Sequence, residues 1–259
     1  MSEKLKIKLF PIILKKMKYL VLISLLTITL AEPIQAQEEL KNGNELIQKM
    51  YQKYHNKWYK NLTFKQKTIF YKDNKVSKEE LWHEAIQMPE GIIVKFGDIN
   101  GGNGVIFKND TMKVINNGIK TFQKRKVHDL LVLGFSVYFD KPETTVSKLE
   151  EAGFDFNYIK TDKIDGKSYF VVGDPTKKQF WVEAENFLFT KIETHNTDGS
   201  IITTEFKDYK KLNKGWIATT VVFSKDGELE MREEYLDIKT PKKLPKDLLE
   251  YTSFTEMKW

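Results

Sequence analysis

Residues Val127–Phe139 (VHDLLVLGFSVYF) form the most apolar stretch of the chain after its first 36 residues. This stretch does not alternate apolar and polar residues, although the segments on both sides of it do. After the break at 140–142 comes Glu143–Ala152, a polar segment with a thin apolar stripe, and Gly153 is placed to end it. We predict two short helices here, inserted into a chain made mainly of strands.

The segments around this insertion repeat with a period of two, which is typical of half-buried β-strands. Turn sequences such as Asp165-Gly166 and Asp226-Gly227 separate them, so hairpins connect most neighbours. Before the insertion we predict strands at Leu62–Tyr71, Glu79–Ile86, Ile92–Phe96, Gly104–Lys108, Met112–Ile115 and Ile119–Phe122. After it we predict a strand starting at Phe154, with Phe154, Phe156 and Tyr158 alternating, and strands at Ser168–Val172, Gln179–Ala184, Phe187–Glu193, Ile201–Tyr209, Trp216–Phe223 and Glu228–Ile238.

A helix is predicted before the first strand, over Asn44–Lys57, with Asn44 as its N-cap. The fold class is therefore α+β and mainly β. So many strands joined by hairpins should form a strongly curved antiparallel meander or an incomplete β-barrel. One face of the sheet is predicted to be apolar and the other to carry Lys, Glu, Asp and Thr. The N-terminal helix and Val127–Phe139 would cover the apolar face, the latter as a lid that bends at Gly134.

The first 36 residues have the pattern of a secretory signal peptide. Lysines at 15, 16 and 18 precede the apolar run Tyr19–Ala31 (YLVLISLLTITLA), and Ala36 marks a cleavage site before Gln37. The run is short for a membrane span, which needs ~20 residues, although a retained signal anchor is the alternative. The true start is either Met1 or Met17. We expect residues 37–259 to be a single β-rich domain in the periplasm.

Composition excludes several classes of protein. The chain has no cysteine, which rules out a lipid-modified N-terminal cysteine, disulfides and thiol catalysis. Six of the 42 basic and two of the 36 acidic residues lie in the first 36, so the net charge of +6 falls to +2 for residues 37–259. Such a balanced surface gives no indication of nucleic-acid binding.

Motifs for enzyme chemistry are missing from the sequence. His55, His83, His128 and His195 do not have a metal-ligand spacing, and His83 should point away from Glu84 because strand neighbours face opposite sides. The pair His128-Asp129 fits a helix cap better than a catalytic site. No nucleophile elbow or P-loop is present. We therefore expect no catalytic residues, no metal and no cofactor, although carboxylates that meet only in the fold would be invisible here.

The layout of a leading helix, a meander, a pair of mid-chain helices and further hairpins resembles the LolA-like superfamily, which includes the periplasmic outer-membrane lipoprotein carrier. Lys178–Ile192 (KQFWVEAENFLFTKI) resembles its aromatic strand–turn–strand, and Leu236–Leu249 (LDIKTPKKLPKDLL) its closing strand and Pro-containing turn. The resemblance implies an incomplete barrel whose helical lid covers an apolar cavity for acyl chains. The carrier's arginine near its cavity has no motif-level match, and Arg125 stands just before the lid without being assigned that role.

These observations favour an exported protein that carries or senses a lipid or lipoprotein acyl chain, with an envelope membrane protein as a candidate partner. A protein-binding regulatory module on the same fold and a hydrolase whose site forms only in space are the alternatives. The candidate cavity residues are large apolar side chains, each of which could instead fill a core. They are Phe64, Phe70, Trp82, Phe96, Phe107, Leu130, Leu131, Leu133, Phe135, Phe156, Phe180, Phe187 and Phe189.

Overall fold

Thirteen strands make up most of the molecule in the computed structural model, which describes residues 39–259. The predicted signal peptide and its cleavage site lie outside the described residues. The strands are β1 (Asn61–Lys72), β2 (Lys75–Gln87), β3 (Gly91–Phe96), β4 (Gly104–Lys108), β5 (Thr111–Asn116), β6 (Ile119–Arg125), β7 (Ile159–Ile164), β8 (Lys167–Val172), β9 (Lys178–Glu183), β10 (Leu188–His195), β11 (Ile201–Leu212), β12 (Gly215–Lys225) and β13 (Glu228–Lys239).

All thirteen strands belong to one antiparallel sheet. Its order is β6-β5-β4-β3-β2-β1-β13-β12-β11-β10-β9-β8-β7. Each half of the chain is thus a meander of hairpins, and the pairing of β1 with β13 joins the halves, with Thr68 opposite Glu233 and Phe70 opposite Met231. Since β6 and β7 stand at the two ends of this order, the curved sheet does not close. The predicted incomplete barrel is confirmed.

The N-terminal helix α1 spans Gly43–Tyr54. Its N-cap is Asn42, whose side chain accepts a hydrogen bond from the Glu45 backbone at 3.1 Å. The prediction of Asn44 as N-cap was wrong, because Gly43 already begins the first turn. The buried stripe of the helix contains Leu46, Ile47, Met50 and Tyr54, as its spacing predicts, and packs on the concave face of the sheet.

The mid-chain insertion contains helix α2 (Asp129–Gly134), a 3₁₀ turn (Ser136–Tyr138) and helix α3 (Pro142–Glu151). Helix α2 ends at Gly134, so the predicted break at this glycine is confirmed. The inner side of the insertion, with Leu133 and Tyr138, is fully buried in the same core as α1. The insertion therefore covers the concave side of the sheet.

The segment following α3 corrects one prediction. Phe154–Tyr158 is not a strand, and β7 begins only at Ile159. The alternation there reflects burial of Phe154 and Phe156, whose rings both pack on Phe180 at centroid distances of 5.2 and 6.1 Å. The backbone carbonyl of Phe156 accepts a hydrogen bond from the Gly43 amide at 2.9 Å, which ties the segment to α1 instead of to a neighbouring strand.

The outer face of β2–β5 is also covered, which the expectation of a wholly polar outer face missed. Ala85, Ile93, Ile106 and Ile115 pack there against the C-terminal segment, which contributes Leu248, Leu249, Phe254 and Met257. Lys95 is fully buried between these layers. Its Nζ donates hydrogen bonds to the carbonyl oxygens of Ile99 and Met257 at 2.8 and 2.7 Å, so the ammonium ties the C-terminal segment to the sheet.

This packing predicts that Phe254→Ala lowers the free energy of unfolding by ~3–5 kcal/mol, since the ring is 1% exposed and its removal leaves a cavity. Urea unfolding measures the loss. The matched control is Phe122→Ala on the edge strand β6, where the ring is 47% exposed and the expected change is within ~0.5 kcal/mol. Equal effects of the two substitutions would contradict the packing role of the C-terminal segment.

Candidate functional site

A cavity of about 260 Å³ lies between the insertion and the concave face of the first half of the sheet. Its apolar lining comes from β1–β4 and from the neighbouring strands β11–β13, and the insertion forms its cover. The lining residues are Phe64, Gln66, Trp82, Glu84, Ile86, Ile92, Val94, Phe96, Val105, Phe107, His128, Leu130, Leu131, Phe135, Phe206, Val221, Phe223, Glu233 and Tyr235.

Strand register explains why these side chains meet. Phe64 on β1 stands opposite Glu84 on β2, and Glu84 stands opposite Val94 on β3. One step along the strands, Gln66 is opposite both Trp82 on β2 and Tyr235 on β13. Paired residues project to the same face of a sheet, so these rows together form the floor of the cavity.

The cover of the cavity is held by polar contacts at the start of α2. His128 is the N-cap, and its Nδ1 accepts a hydrogen bond from the Leu131 backbone at 3.3 Å. The capping role predicted for His128 is thereby confirmed. Asp129 forms an ion pair with Lys178 of β9 at 2.6 Å, and Lys178 also donates to the Ala152 carbonyl at 2.9 Å. This pair fastens the lid to the second half of the sheet.

The structure divides the thirteen candidate cavity residues into two groups. Seven of them line the cavity: Phe64, Trp82, Phe96, Phe107, Leu130, Leu131 and Phe135. The other six lie outside the lining: Phe70, Leu133, Phe156, Phe180, Phe187 and Phe189. Phe70 lies beside Trp82 with a centroid distance of 6.3 Å, and the remaining five pack in the core under the helices. That the first group binds a ligand stays a prediction.

Four polar residues of the floor were not among the candidates: Gln66, Glu84, Glu233 and Tyr235. The signal for two of them was present in the sequence. Period-two spacing places Gln66 on the same face as Phe64, and Glu84 on the same face as Trp82 and Ile86. Placing Glu233 and Tyr235 in the lining also requires the pairing of β13 with β1, which no local sequence pattern reveals.

The two carboxyl groups of the floor are buried, with exposed fractions of 6% for Glu84 and 9% for Glu233. Burial raises the pKa of Glu233 to about 7, while the Tyr235 hydroxyl and the Gln66 amide lower it less. Burial also raises the pKa of Glu84 well above its ordinary value, and the charge of nearby Glu233 raises it further. Both groups therefore keep a proton at pH values where surface carboxylates have lost theirs.

The hydrogen bonding of the two carboxyl groups differs. The Tyr235 hydroxyl donates to Oε2 of Glu233 at 3.1 Å. No residue within 39–259 donates a hydrogen bond to Glu84. Glu84 thus presents an unpartnered polar group to the cavity.

The other candidates for chemistry lie away from the cavity. His83 is on the outer face, as predicted from its neighbour Glu84, and His195 contacts Glu193 at 3.1 Å. Within residues 39–259 no group of three or more His, Asp or Glu side chains is placed to hold a metal ion. Arg125 forms a bidentate ion pair with Glu151 of α3, with N–O distances of 2.9 and 2.6 Å, which ties β6 to the insertion. Arg125 does not line the cavity.

Three solved structures share this architecture. A LolA superfamily protein from Nitrosomonas europaea is 15% identical, with a TM-score of 0.51 over 80% of this chain and 97% of that one. An outer membrane lipoprotein-sorting protein domain from Vibrio parahaemolyticus is 14% identical, with a TM-score of 0.51 over 82% and 98%. The fold is LolA-like.

A DUF1329 family protein from Desulfovibrio piger has the same LolA-like architecture, with 12% identity and a TM-score of 0.55 over 82% of this chain and 97% of that one. No protein-family model matches the sequence, and no curated protein does. At these identities the likeness establishes the fold and leaves the ligand open. Among the described residues, no helix is long and apolar enough to cross a membrane.

The raised pKa of Glu233 predicts that the free energy of unfolding falls as the pH rises. The folded state holds this proton up to a pH of about 7, whereas the unfolded state releases it near 4.5, so stability is greatest below 4.5 and is lost through 7. We expect Glu233 to contribute a loss on the order of 1–3 kcal/mol between pH 4.5 and 8.

Urea unfolding at several pH values measures this loss, and Glu233→Gln should remove it because the amide does not titrate. The control is Glu230→Gln, on the exposed part of the same strand, which should leave the pH dependence unchanged. A pH profile of Glu233→Gln that matches the unsubstituted protein would contradict the assignment.

Proposed function

We propose that this protein is exported to the periplasm, where it binds the acyl chain of a lipid or lipoprotein in the cavity beneath its lid, as a carrier or a sensor. The observation that carries the proposal is the apolar cavity of about 260 Å³, covered by a separate helical segment. An acyl chain gains ~0.8 kcal/mol for each methylene it buries, so binding of this kind needs no catalytic motif.

The size and the cover of the cavity both suit such a ligand. Small-molecule sites usually enclose ~300–1,000 Å³, so this cavity of about 260 Å³ is slightly below that range and fits a single chain better than several. Leu130, Leu131 and Phe135 of the insertion form one wall. A ligand could therefore enter when the insertion moves, without any strand of the sheet being displaced.

The structural neighbours support the proposal. One of them bears a name that refers to lipoprotein sorting in the outer membrane, and another belongs to the LolA superfamily. An export signal at residues 1–36 would place this chain where such ligands occur. An envelope membrane protein is then the natural partner, to deliver the lipid or to receive it.

A hydrolase is the competing function that one observation favours, because the fold places both Glu84 and Glu233 in the lining of one cavity. Paired carboxyl groups with displaced pKa values serve as acid and base in glycoside hydrolysis. The remainder of the lining, however, is dominated by aliphatic and aromatic side chains, which offer few hydrogen bonds to a sugar. Binding of an apolar chain accounts for the aliphatic and aromatic residues that make up most of the lining, whereas hydrolysis accounts for only two of the lining residues.

Filling the cavity tests the binding function. Val105 lines it, and Val105→Trp should place an indole where the ligand would lie. We expect this variant to lose binding of 1-dodecanol by at least tenfold, measured by calorimetry below the solubility limit. Native mass spectrometry of periplasmic protein should likewise show acyl species on the unsubstituted protein and a clean apo mass for the variant.

The matched control is Val76→Trp, where the side chain is 55% exposed on β2 and binding should be unchanged. Over-packing can cost 1–3 kcal/mol, so unfolding of both variants is measured alongside. Full dodecanol binding by a folded Val105→Trp protein would show that the cavity is not the binding site.

The lid is predicted to be the element that opens. Amide hydrogens of residues 127–139 should exchange well before those of β12 and β13, and should slow when 1-dodecanol is bound. Asp129→Asn, which removes the ion pair with Lys178, should make the lid exchange faster without changing the strands. Exchange over 127–139 that is as slow as in the strands and indifferent to ligand would identify a static core segment instead.

A further inference from the structure

The floor of the cavity carries acidic groups that no basic group of the lining neutralises. Glu84 and Glu233 flank β1, from β2 and β13 respectively, and both line the cavity. The polar side chains beside them are Gln66, Tyr235 and His128. Among the described lining residues none is a lysine or an arginine.

The nearest ion pairs do not supply the missing charge. Lys78 and Glu80 stand toward the outer end of the same face of β2, and they pair with each other. His128 is part of the lining, but burial lowers its pKa, so it is neutral at pH 7. The basic side chain Lys95 of β3 lies on the outer face, under the C-terminal segment.

This arrangement selects among the head groups that an amphiphile could bring into the cavity. A buried carboxylate is tolerated only when it is paired and hydrogen-bonded. An anionic head group would add a third acid to the floor, and a neutral hydroxyl would bring no positive charge to stabilise either carboxylate. An ammonium brings a positive charge and three hydrogen-bond donors. It therefore matches two carboxylates, one of which, Glu84, accepts no hydrogen bond from the described residues.

We propose that the floor formed by Glu84, Glu233, Gln66 and Tyr235 binds the primary ammonium group of an amphiphile whose chain occupies the apolar part of the cavity. This inference rests on the proposed lipid-binding function and names the class of ligand. The ammonium could belong to a free long-chain amine or to the ethanolamine head group of a phospholipid.

The proposal has a consequence for protons. Binding a cation stabilises the ionised carboxylates, so Glu84 and Glu233 give up to two protons to the solvent as the ligand binds. Amine affinity should therefore increase as the pH rises from 5 to 8, because fewer protons have to be displaced. Affinity for a neutral alcohol of equal chain length should not increase over that range.

The experiment compares 12-carbon ligands that differ only in the head group. Binding of dodecylamine, 1-dodecanol and dodecanoate to the full chain is measured by calorimetry at pH 7.5, below their aggregation limits. We expect the amine to bind at least tenfold more tightly than the alcohol, and dodecanoate to bind more weakly than the alcohol. Calorimetry in two buffers of different ionisation enthalpy should show proton release with the amine alone.

The double variant Glu84→Gln/Glu233→Gln should bind amine and alcohol equally. The control Glu228→Gln/Glu230→Gln removes two carboxylates from the exposed part of β13 and should keep the full preference for the amine. A preference lost equally in both variants would mean attraction to the general surface charge and would overturn the proposal.

The remaining outcomes distinguish the head-group inference from the lipid-binding function. If 1-dodecanol binds in the cavity but the amine binds no more tightly, the head-group inference fails and the lipid-binding function stands. If none of the three ligands binds, the lipid-binding function itself fails. Two lysophospholipids with one 12-carbon chain, lysophosphatidylethanolamine and lysophosphatidylglycerol, distinguish the two sources of the ammonium group. A preference for lysophosphatidylethanolamine that is lost in the double variant indicates a phospholipid head group. Equal binding of both indicates a free amine.

Discussion

The antiparallel pairing of β1 with β13 is the contact on which the rest of the structure depends. Each half of the chain is a meander in which neighbours in sequence pair with one another, and this one pairing joins the halves into a thirteen-stranded sheet. It leaves β6 and β7 as the two free edges. The segment between them, residues 126–158, must then run from one edge of the curved sheet to the other, and so it crosses the concave side. Lid and cavity both follow from this connection.

The two halves of the concave face are packed differently. Under the helices, β9–β11 present interlocking rings, such as Phe189 and Phe206 with centroids 4.9 Å apart, and the space is filled. On the side of β1–β4 a cavity remains, lined by aliphatic side chains such as Ile86 and Val105 together with rings such as Phe64. The insertion spans both halves, so it closes a packed core on one side and a cavity on the other.

Local patterns were sufficient to predict most of the helices and strands, since each has a local signature, but not the pairing of β1 with β13. Alternation marks the strands, Gly134 marks the end of α2, and the short turns imply antiparallel neighbours. The segment Phe154–Tyr158, predicted as a strand, shows the limit of local patterns. Side chains can be buried with a period of two although their backbone forms no ladder of hydrogen bonds. The site was less predictable. Whether a phenylalanine lines a cavity or fills a core depends on which residue lies opposite, and that is set by pairing between strands far apart in sequence, such as β1 and β13.

The acidic floor lies in the part of the sheet that best tolerates the loss of stability it causes. Two buried carboxyl groups and a cavity each lower the stability of a domain, and an apolar filling would be more stable. Departures of this kind are typical of functional sites, where stability is given up for another property. Here the cost falls on β1, β2 and β13, which are 12, 13 and 12 residues long and have partners on both sides. The long ladders of these strands hold Glu84 and Glu233 in place whether or not their charges are matched. In the proposed function the rigid sheet would therefore discriminate between ligands, and the short insertion would admit them.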